Sequence, residues 1–90
     1  RVLELASGIA GPFCARLFAD YGAEVLKVEA KDAGDATRRW GPFPGDRPDP
    51  EASGTFFFLN TDKRSVILDL DSEAGRARLE LLLAEADVLV

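Results

Sequence analysis

The spacing of apolar positions changes several times along the chain, and each change marks an element. Arg1–Leu5 carries Val2, Leu3 and Leu5 almost in succession, as in a strand covered on both faces. Small residues follow, Ala6-Ser7-Gly8-Ile9-Ala10, and then Gly11-Pro12. Pro12 suits the first turn of a helix, where a missing N–H costs nothing. Phe13, Leu17 and Tyr21 recur at helical spacing. Cys14 and Phe18 widen that stripe, which is expected to face the core. Arg16 and Asp20, four apart, lie off it and can face water. Gly22 is the expected left-handed stop. Glu24–Val28 then reads as a second strand.

Ala30–Gly54 has no period. It holds four of the five prolines (Pro42, Pro44, Pro48, Pro50), and structureless stretches of this length inside compact domains are usually functional or mobile. Thr37–Trp40 fits a single helical turn, and Trp40 and Phe43 are expected to pin the loop to the body. Thr55–Leu59 is apolar and aromatic, a short helix or strand. After the polar turn Asn60–Arg64, Ser65–Leu70 reads as a buried third strand. Asp71 or Ser72 caps the next helix, with Glu73 in its first turn favoured by the helix dipole. Leu79, Leu82, Leu83 and Ala86 are expected to face a sheet, with Arg76 and Glu80 paired outside. Asp87–Val90 is a fourth strand.

The resulting order, β-α-β-loop-β-α-β, predicts an α/β, Rossmann-like parallel sheet with flanking helices. Residues 1–90 form a single domain whose irregular loop spans 30–54. Ligands in such sheets settle at the carboxyl ends of strands, so the places to search are Ala6–Gly11 and Glu29–Asp35. Both ends of the chain fall on strand-like residues, which reads as a piece of something longer. Such a piece exposes apolar faces and sheet edges.

Composition narrows the chemistry. Asp and Glu outnumber Lys and Arg by 16 to 11, for a formal net charge of -5. That balance argues against a nucleic-acid partner, whose affinity is built from cations. With no histidine and one cysteine, histidine-based catalysis, histidine metal sites and internal disulfides are excluded within these residues. No apolar run reaches the roughly 20 residues of a membrane span. The default setting is cytoplasmic, without membrane association.

Four local features carry alternative readings. Gly8-Ile9-Ala10-Gly11-Pro12 sits where a dinucleotide fingerprint would, but it has two glycines rather than three, and Pro12 removes an N–H donor. Tight turning and close packing explain those glycines equally well. In Gly34-Asp35-Ala36-Thr37-Arg38-Arg39-Trp40, the arginines either bind an anion or pair with Asp35 and stack on Trp40. Lys63-Arg64 is either a site or a solvated turn. Cys14 reads as a small core residue rather than a reactive thiol.

Five segments, in order, resemble the family III CoA-transferases, which include formyl-CoA transferase, carnitine CoA-transferase and 2-methylacyl-CoA racemase. They are Ala10-Gly11-Pro12, Gly22–Glu29, Gly34-Asp35, Asn60-x-x-Lys63-Arg64-Ser65 and Leu68-Asp69-Leu70. The resemblance implies the N-terminal, coenzyme A-binding part of a longer enzyme whose two subunits interlock as a homodimer. It implies acyl-CoA and carboxylic acid substrates and no metal. In the family's transferases an aspartate nucleophile forms a mixed anhydride and then an aspartyl-CoA thioester; the racemases move a proton beside the thioester. Those positions are expected beyond Val90, leaving no catalytic residue here and this chain inactive alone. The implied coenzyme contacts are Ile9 and Ala10, then Ala30 and Lys31, then Leu68, Asp69, Leu70 and Asp71. Ala30 stands where the family often has arginine, and Asp71 where some members have lysine. Two phosphate-attracting cations are thus missing, and Lys31 is the candidate substitute. The reading is an acyl-CoA transferase moving CoA between carboxylic acids, with a 2-methylacyl-CoA racemase of the same family as the alternative. Rivals from other classes are a non-catalytic α/β assembly module and a dinucleotide-dependent oxidoreductase, the latter disfavoured by the Gly-Pro loop.

Overall fold

A computed structural model describes the whole chain, Arg1–Val90. Four parallel strands form one sheet: β1 (Val2–Glu4), β2 (Val25–Ala30), β3 (Arg64–Leu68) and β4 (Val88–Leu89), in spatial order β3-β2-β1-β4. Helix α1 (Ala10–Asp20) joins β1 to β2, α2 (Gly54–Asn60) precedes β3, and α3 (Glu73–Glu85) joins β3 to β4. The α/β parallel architecture expected from the sequence is present. The chain runs outward from β1 to β3 and then returns to the other side of β1. The strand order therefore reverses between β1 and β4, and the loop leaving β1 lies at that switch point.

Successive strand residues face opposite sides, and the core divides accordingly. On one side Val2 and Val25 pack with Ala15 of α1, joined by Ala19, Ala23, Val88 and Val90. On the other, Leu3, Val28 and Leu68 pack with Leu79, Leu82 and Ala86. Ser72 caps α3 by accepting a hydrogen bond from the Gly75 N–H at 2.9 Å.

Helix α1 is turned away from its expected face. Pro12 and Ala15 are its buried residues, whereas Phe13, Cys14, Leu17, Phe18 and Tyr21 are exposed, Tyr21 at 91%. The cause is steric. A Cβ on Gly11 would lie 2.2 Å from Ala6 Cβ in the loop after β1, and Ala15 packs on Val2 and Val25, so the helix meets the body of the fold through its smallest side chains. Cys14 is correspondingly a surface thiol rather than a core residue. Similarly, Leu83 of α3 is 37% exposed. Arg76 bonds back to the carbonyls of Leu70 and Asp71 rather than pairing with Glu80. The Arg16–Asp20 pair is present at 3.6 Å.

Between β2 and α2 the chain makes two 3-10 turns, Ala36–Arg39 and Pro44–Asp46. The first matches the expected single turn. Trp40, however, is 43% exposed and does not pin the loop; polar contacts hold it instead. The Ser53 hydroxyl, 1% exposed, lies 2.7 Å from the Thr37 carbonyl and 2.5 Å from that of Trp40, and accepts from the Phe56 N–H. The Gly54 N–H donates to the Pro42 carbonyl at 2.9 Å.

The Gly11–Ala6 contact is expected to be unforgiving. Gly11→Ala should lower the unfolding free energy in urea by about 1–3 kcal/mol, the usual cost of overpacking. Ala19→Gly, which opens space on the same face, should lack that steric component. Equal midpoints for Gly11→Ala and the parent would contradict the close approach.

Candidate functional site

Above its apolar half, the α1 side of the sheet carries charges. Glu4, Lys27 and Glu29 are 0%, 1% and 4% exposed. A charge buried in a sheet requires partners, and irregular segments supply them. Lys27 Nζ lies 3.0 Å from Glu4 Oε1, 2.7 Å from Asp35 Oδ2 and 3.0 Å from the Ala6 carbonyl oxygen. Lys63 Nζ lies 2.9 Å from Glu4 Oε2 and 2.8 Å from both the Pro12 carbonyl and Asn60 Oδ1. Each ammonium thus meets three oxygens. The contacts at Glu4 Oε2 and Asp35 Oδ2 lie off the hydrogen-bonding angle and hold through charge. Two carboxylates and two ammoniums cancel.

A second set adjoins the first. Arg38 Nε and Nη2 grip Glu29 Oε1 and Oε2 at 2.7 and 2.8 Å, the two-pronged geometry that suits guanidinium. The Arg38 guanidinium also lies over the Phe56 ring, 3.8 Å from its centroid. Glu29 further accepts from the Asp35 N–H and the Ser65 hydroxyl at 2.9 and 2.6 Å. Burial alone would raise the Glu29 carboxyl, but the donors from Arg38, Ser65 and Asp35 outweigh it and bring the pKa down to about 2. Burial likewise opposes ionisation of Asp35, and Lys27 and Thr37 reverse the effect, leaving it below the ordinary value. Burial lowers the Lys63 pKa, and the Glu4 carboxylate only partly offsets it. Gly34, at φ +66, turns the chain back over this set. A Cβ there would stand 3.0 Å from both Glu29 Oε1 and Arg38 Cδ.

Sequence reasoning leaves Lys63-Arg64 as either a site or a solvated turn, and Arg38 and Arg39 as either anion ligands or partners of Asp35 stacked on Trp40. The geometry replaces the solvated-turn and Asp35-pairing alternatives. The Lys63 side chain is 2% exposed, Asp35 belongs to Lys27, and Arg38 belongs to Glu29. Arg64 alone of the Lys63-Arg64 pair is exposed. The overlooked signal was Lys27 and Glu29 alternating within an otherwise apolar strand. Both point to the α1 side, where only buried counter-charges could satisfy them.

The expected ligand residues fall at three strand ends. Ile9, 58% exposed, and Ala10 follow β1. Ala30 closes β2 in register with Leu68 of β3, and Lys31 Nζ comes within 3.9 Å of Asp69 Oδ2. The β2 and β3 ends therefore meet directly, with β1 the adjoining strand. Leu68 is 6% exposed and packed into the α3-side core, whereas Leu70 and Asp71 are exposed. Asp69 is engaged in a turn, its Oδ1 accepting from the Asp71 N–H at 3.1 Å. An open cleft of about 450 Å³ runs along the β2 end, lined in part by Ala30, Lys31, Gly34 and Ile67.

Known proteins supply the context for this arrangement. The sequence model of CoA-transferase family III matches residues 1–90. The chain belongs to that family. Among its relatives, the cinnamoyl-CoA:phenyllactate CoA-transferase of Clostridium sporogenes is 43% identical over 90 residues, covering 100% of this chain and 22% of that protein. The succinate–glutarate CoA-transferase of Agrobacterium fabrum is 40% identical over 92 residues, covering 100% of this chain and 23% of that enzyme. The crystal structure of a CAIB/BAIF family protein from Brucella suis superposes with a TM-score of 0.84 at 40% identity, over 98% of this chain and 23% of that one. The chain thus spans between a fifth and a quarter of the length of these family III relatives.

Two tests address the buried charges. Lys63→Ala strips Glu4 Oε2 of its ammonium and should destabilise the fold by about 3–5 kcal/mol; a loss below about 1 kcal/mol would place Lys63 in solvent. Glu29 has a folded pKa below its ordinary value of 4.5. Its contribution is therefore complete above about pH 4.5 and is lost as the pH falls toward 2, on the order of 3 kcal/mol in all. Urea unfolding of the parent and Glu29→Gln should accordingly converge between about pH 5.5 and pH 3. A constant gap would rule out the ionic role.

Proposed function

We propose that this chain is the coenzyme A-binding N-terminal part of an acyl-CoA transferase that moves CoA between carboxylic acids. Family membership supports this reading, as do relatives named for transfer between cinnamoyl, phenyllactate, succinate, glutarate and mesaconate partners. The observation that carries it is that the segments expected to touch the coenzyme come together at the carboxyl ends of β1, β2 and β3. Ile9, Ala10, Ala30 and Lys31 offer accessible surface there, as do Leu70 and Asp71. Leu68 and Asp69 contribute backbone, since their side chains serve the core and a turn. With alanine at position 30, Lys31 is the ammonium placed to meet a phosphate; its side chain is 60% exposed.

In this reading the chain supplies no catalytic group, and the acyl-transferring residues lie elsewhere in the protein. Two subunits assemble as a homodimer in the cytoplasm. Apolar side chains left open on α1 and α2, among them Phe13, Leu17, Phe57 and Phe58, support burial against further protein. No helix is long and apolar enough to cross a membrane.

Calorimetric titration of coenzyme A, and separately of NADH, into the protein at the length of its relatives tests the reading. Heat is expected with coenzyme A and none with NADH. Ile9→Asp and Lys31→Glu, both at exposed positions, should each weaken coenzyme A binding at least about tenfold, about 1.4 kcal/mol, with melting unchanged. No heat with coenzyme A would favour the assembly-module reading, to which the missing cations at Ala30 and Asp71 would then point.

A further inference from the structure

We propose that Ser7 and Asp35 are positioning residues that fix the ligand loop Ala6–Ala10 in its binding shape before any ligand arrives. The inference rests on the coenzyme A reading above. Residues Ala6–Ile9 of this loop have no regular structure of their own, yet they are held at consecutive positions. The Ala6 carbonyl accepts from Lys27 Nζ at 3.0 Å. The Ser7 hydroxyl accepts from the Ala36 N–H at 2.9 Å. The Gly8 N–H donates to Asp35 Oδ1 at 3.4 Å. Just beyond the loop, the Pro12 carbonyl accepts from Lys63 Nζ.

These holding groups belong to one rigid body. Asp35 pairs with Lys27 through Oδ2, and its Oδ1 caps the 3-10 turn by accepting from the Thr37 N–H and hydroxyl at 2.8 and 2.7 Å. Ala36 lies on that same turn. Asp35 and Thr37 are 2% and 0% exposed. The buried charges are thus coupled through two links, a close one at Ser7 and a longer one at Gly8, to the backbone that presents Ile9 and Ala10. A loop already held in its bound form binds without the entropic cost of ordering.

Ser7 offers the cleaner test, because it is exposed and its removal leaves the buried ion pairs intact. In the full-length protein, Ser7→Ala should weaken coenzyme A binding by about fivefold, the size of one ordinary hydrogen bond, and Ser7→Thr should restore it. Melting should fall in Ser7→Ala by no more than the loss of one exposed hydrogen bond and recover in Ser7→Thr. The Gly8 amide, which the Ser7 side chain does not touch, should exchange its hydrogen faster in ligand-free Ser7→Ala and return to the parent rate in Ser7→Thr. Asp35→Asn keeps the acceptor for Gly8 and Thr37 but removes the charge facing Lys27. It should lower both stability and affinity.

A parent that binds coenzyme A, with Ser7→Ala equal to it in affinity and in Gly8 exchange, would overturn the positioning role while leaving the coenzyme reading intact. A parent that gives no heat with coenzyme A would instead sink the coenzyme reading and this inference with it.

Discussion

The fold is organised around an ammonium inside a sheet. Lys27 sits in the middle of β2 with its side chain 1% exposed, where an uncompensated charge would cost several kcal/mol. The chain meets that cost with geometry. Glu4 comes from the neighbouring strand, Asp35 from the loop after β2, and the Ala6 carbonyl from the loop after β1. Lys63 completes the set from the turn before β3. One interior position thereby ties together segments from four parts of the sequence.

This arrangement explains how a proline-rich stretch without regular structure can be well defined. Apolar cover tolerates sliding, because the hydrophobic effect is non-directional. An ion pair with fixed distances does not. Glu29 and Arg38 meet through two parallel contacts, and Asp35 reaches Lys27 only when Gly34 turns the chain. Replacing such ion sets with apolar residues can match or exceed their stability. What the charges add here is a single conformation for the surface next to the strand ends.

The sheet, the helices and the family were readable from the chain because each has a local signature. Val2-Leu3, Val66-Ile67-Leu68 and the Ser72 cap announce themselves within a few residues. The orientation of α1 was not readable that way. Its large side chains form the stronger stripe, and the close approach of Gly11 to Ala6, which no spacing in the chain announces, turns the small face inward. The ion network was half visible. Lys27 and Glu29 were plainly misplaced for a buried strand, but their partners Asp35 and Arg38 are 8 and 9 residues further along, Lys63 meets Glu4 from the far side of the long loop, and no period links them. The strand-end positions Ile9, Ala10 and Ala30 followed from topology, whereas the burial of Leu68 required the packing of α3 to be seen.

The two halves of the long loop are held in different ways. From Glu29 to Arg38 the backbone is metered by contacts at both ends and between them, because the Glu29 carboxylate touches Asp35 N–H and Arg38 while Asp35 reaches back to Lys27. Adding or removing a residue there would move one charge out of reach of its partner. Phe43–Asp49 has no such ruler. Its backbone hydrogen bonds close only short turns, from Asp46 to Phe43, from Arg47 to Pro44 and from Ala52 to Asp49, and most of its residues face solvent. Length in this loop is therefore a fixed quantity from Glu29 to Pro42, whose carbonyl receives the Gly54 N–H, and a free one only from Phe43 to Asp49. That short segment can grow or shrink without disturbing the strand ends, giving the fold a place to acquire new contacts at no cost to its interior.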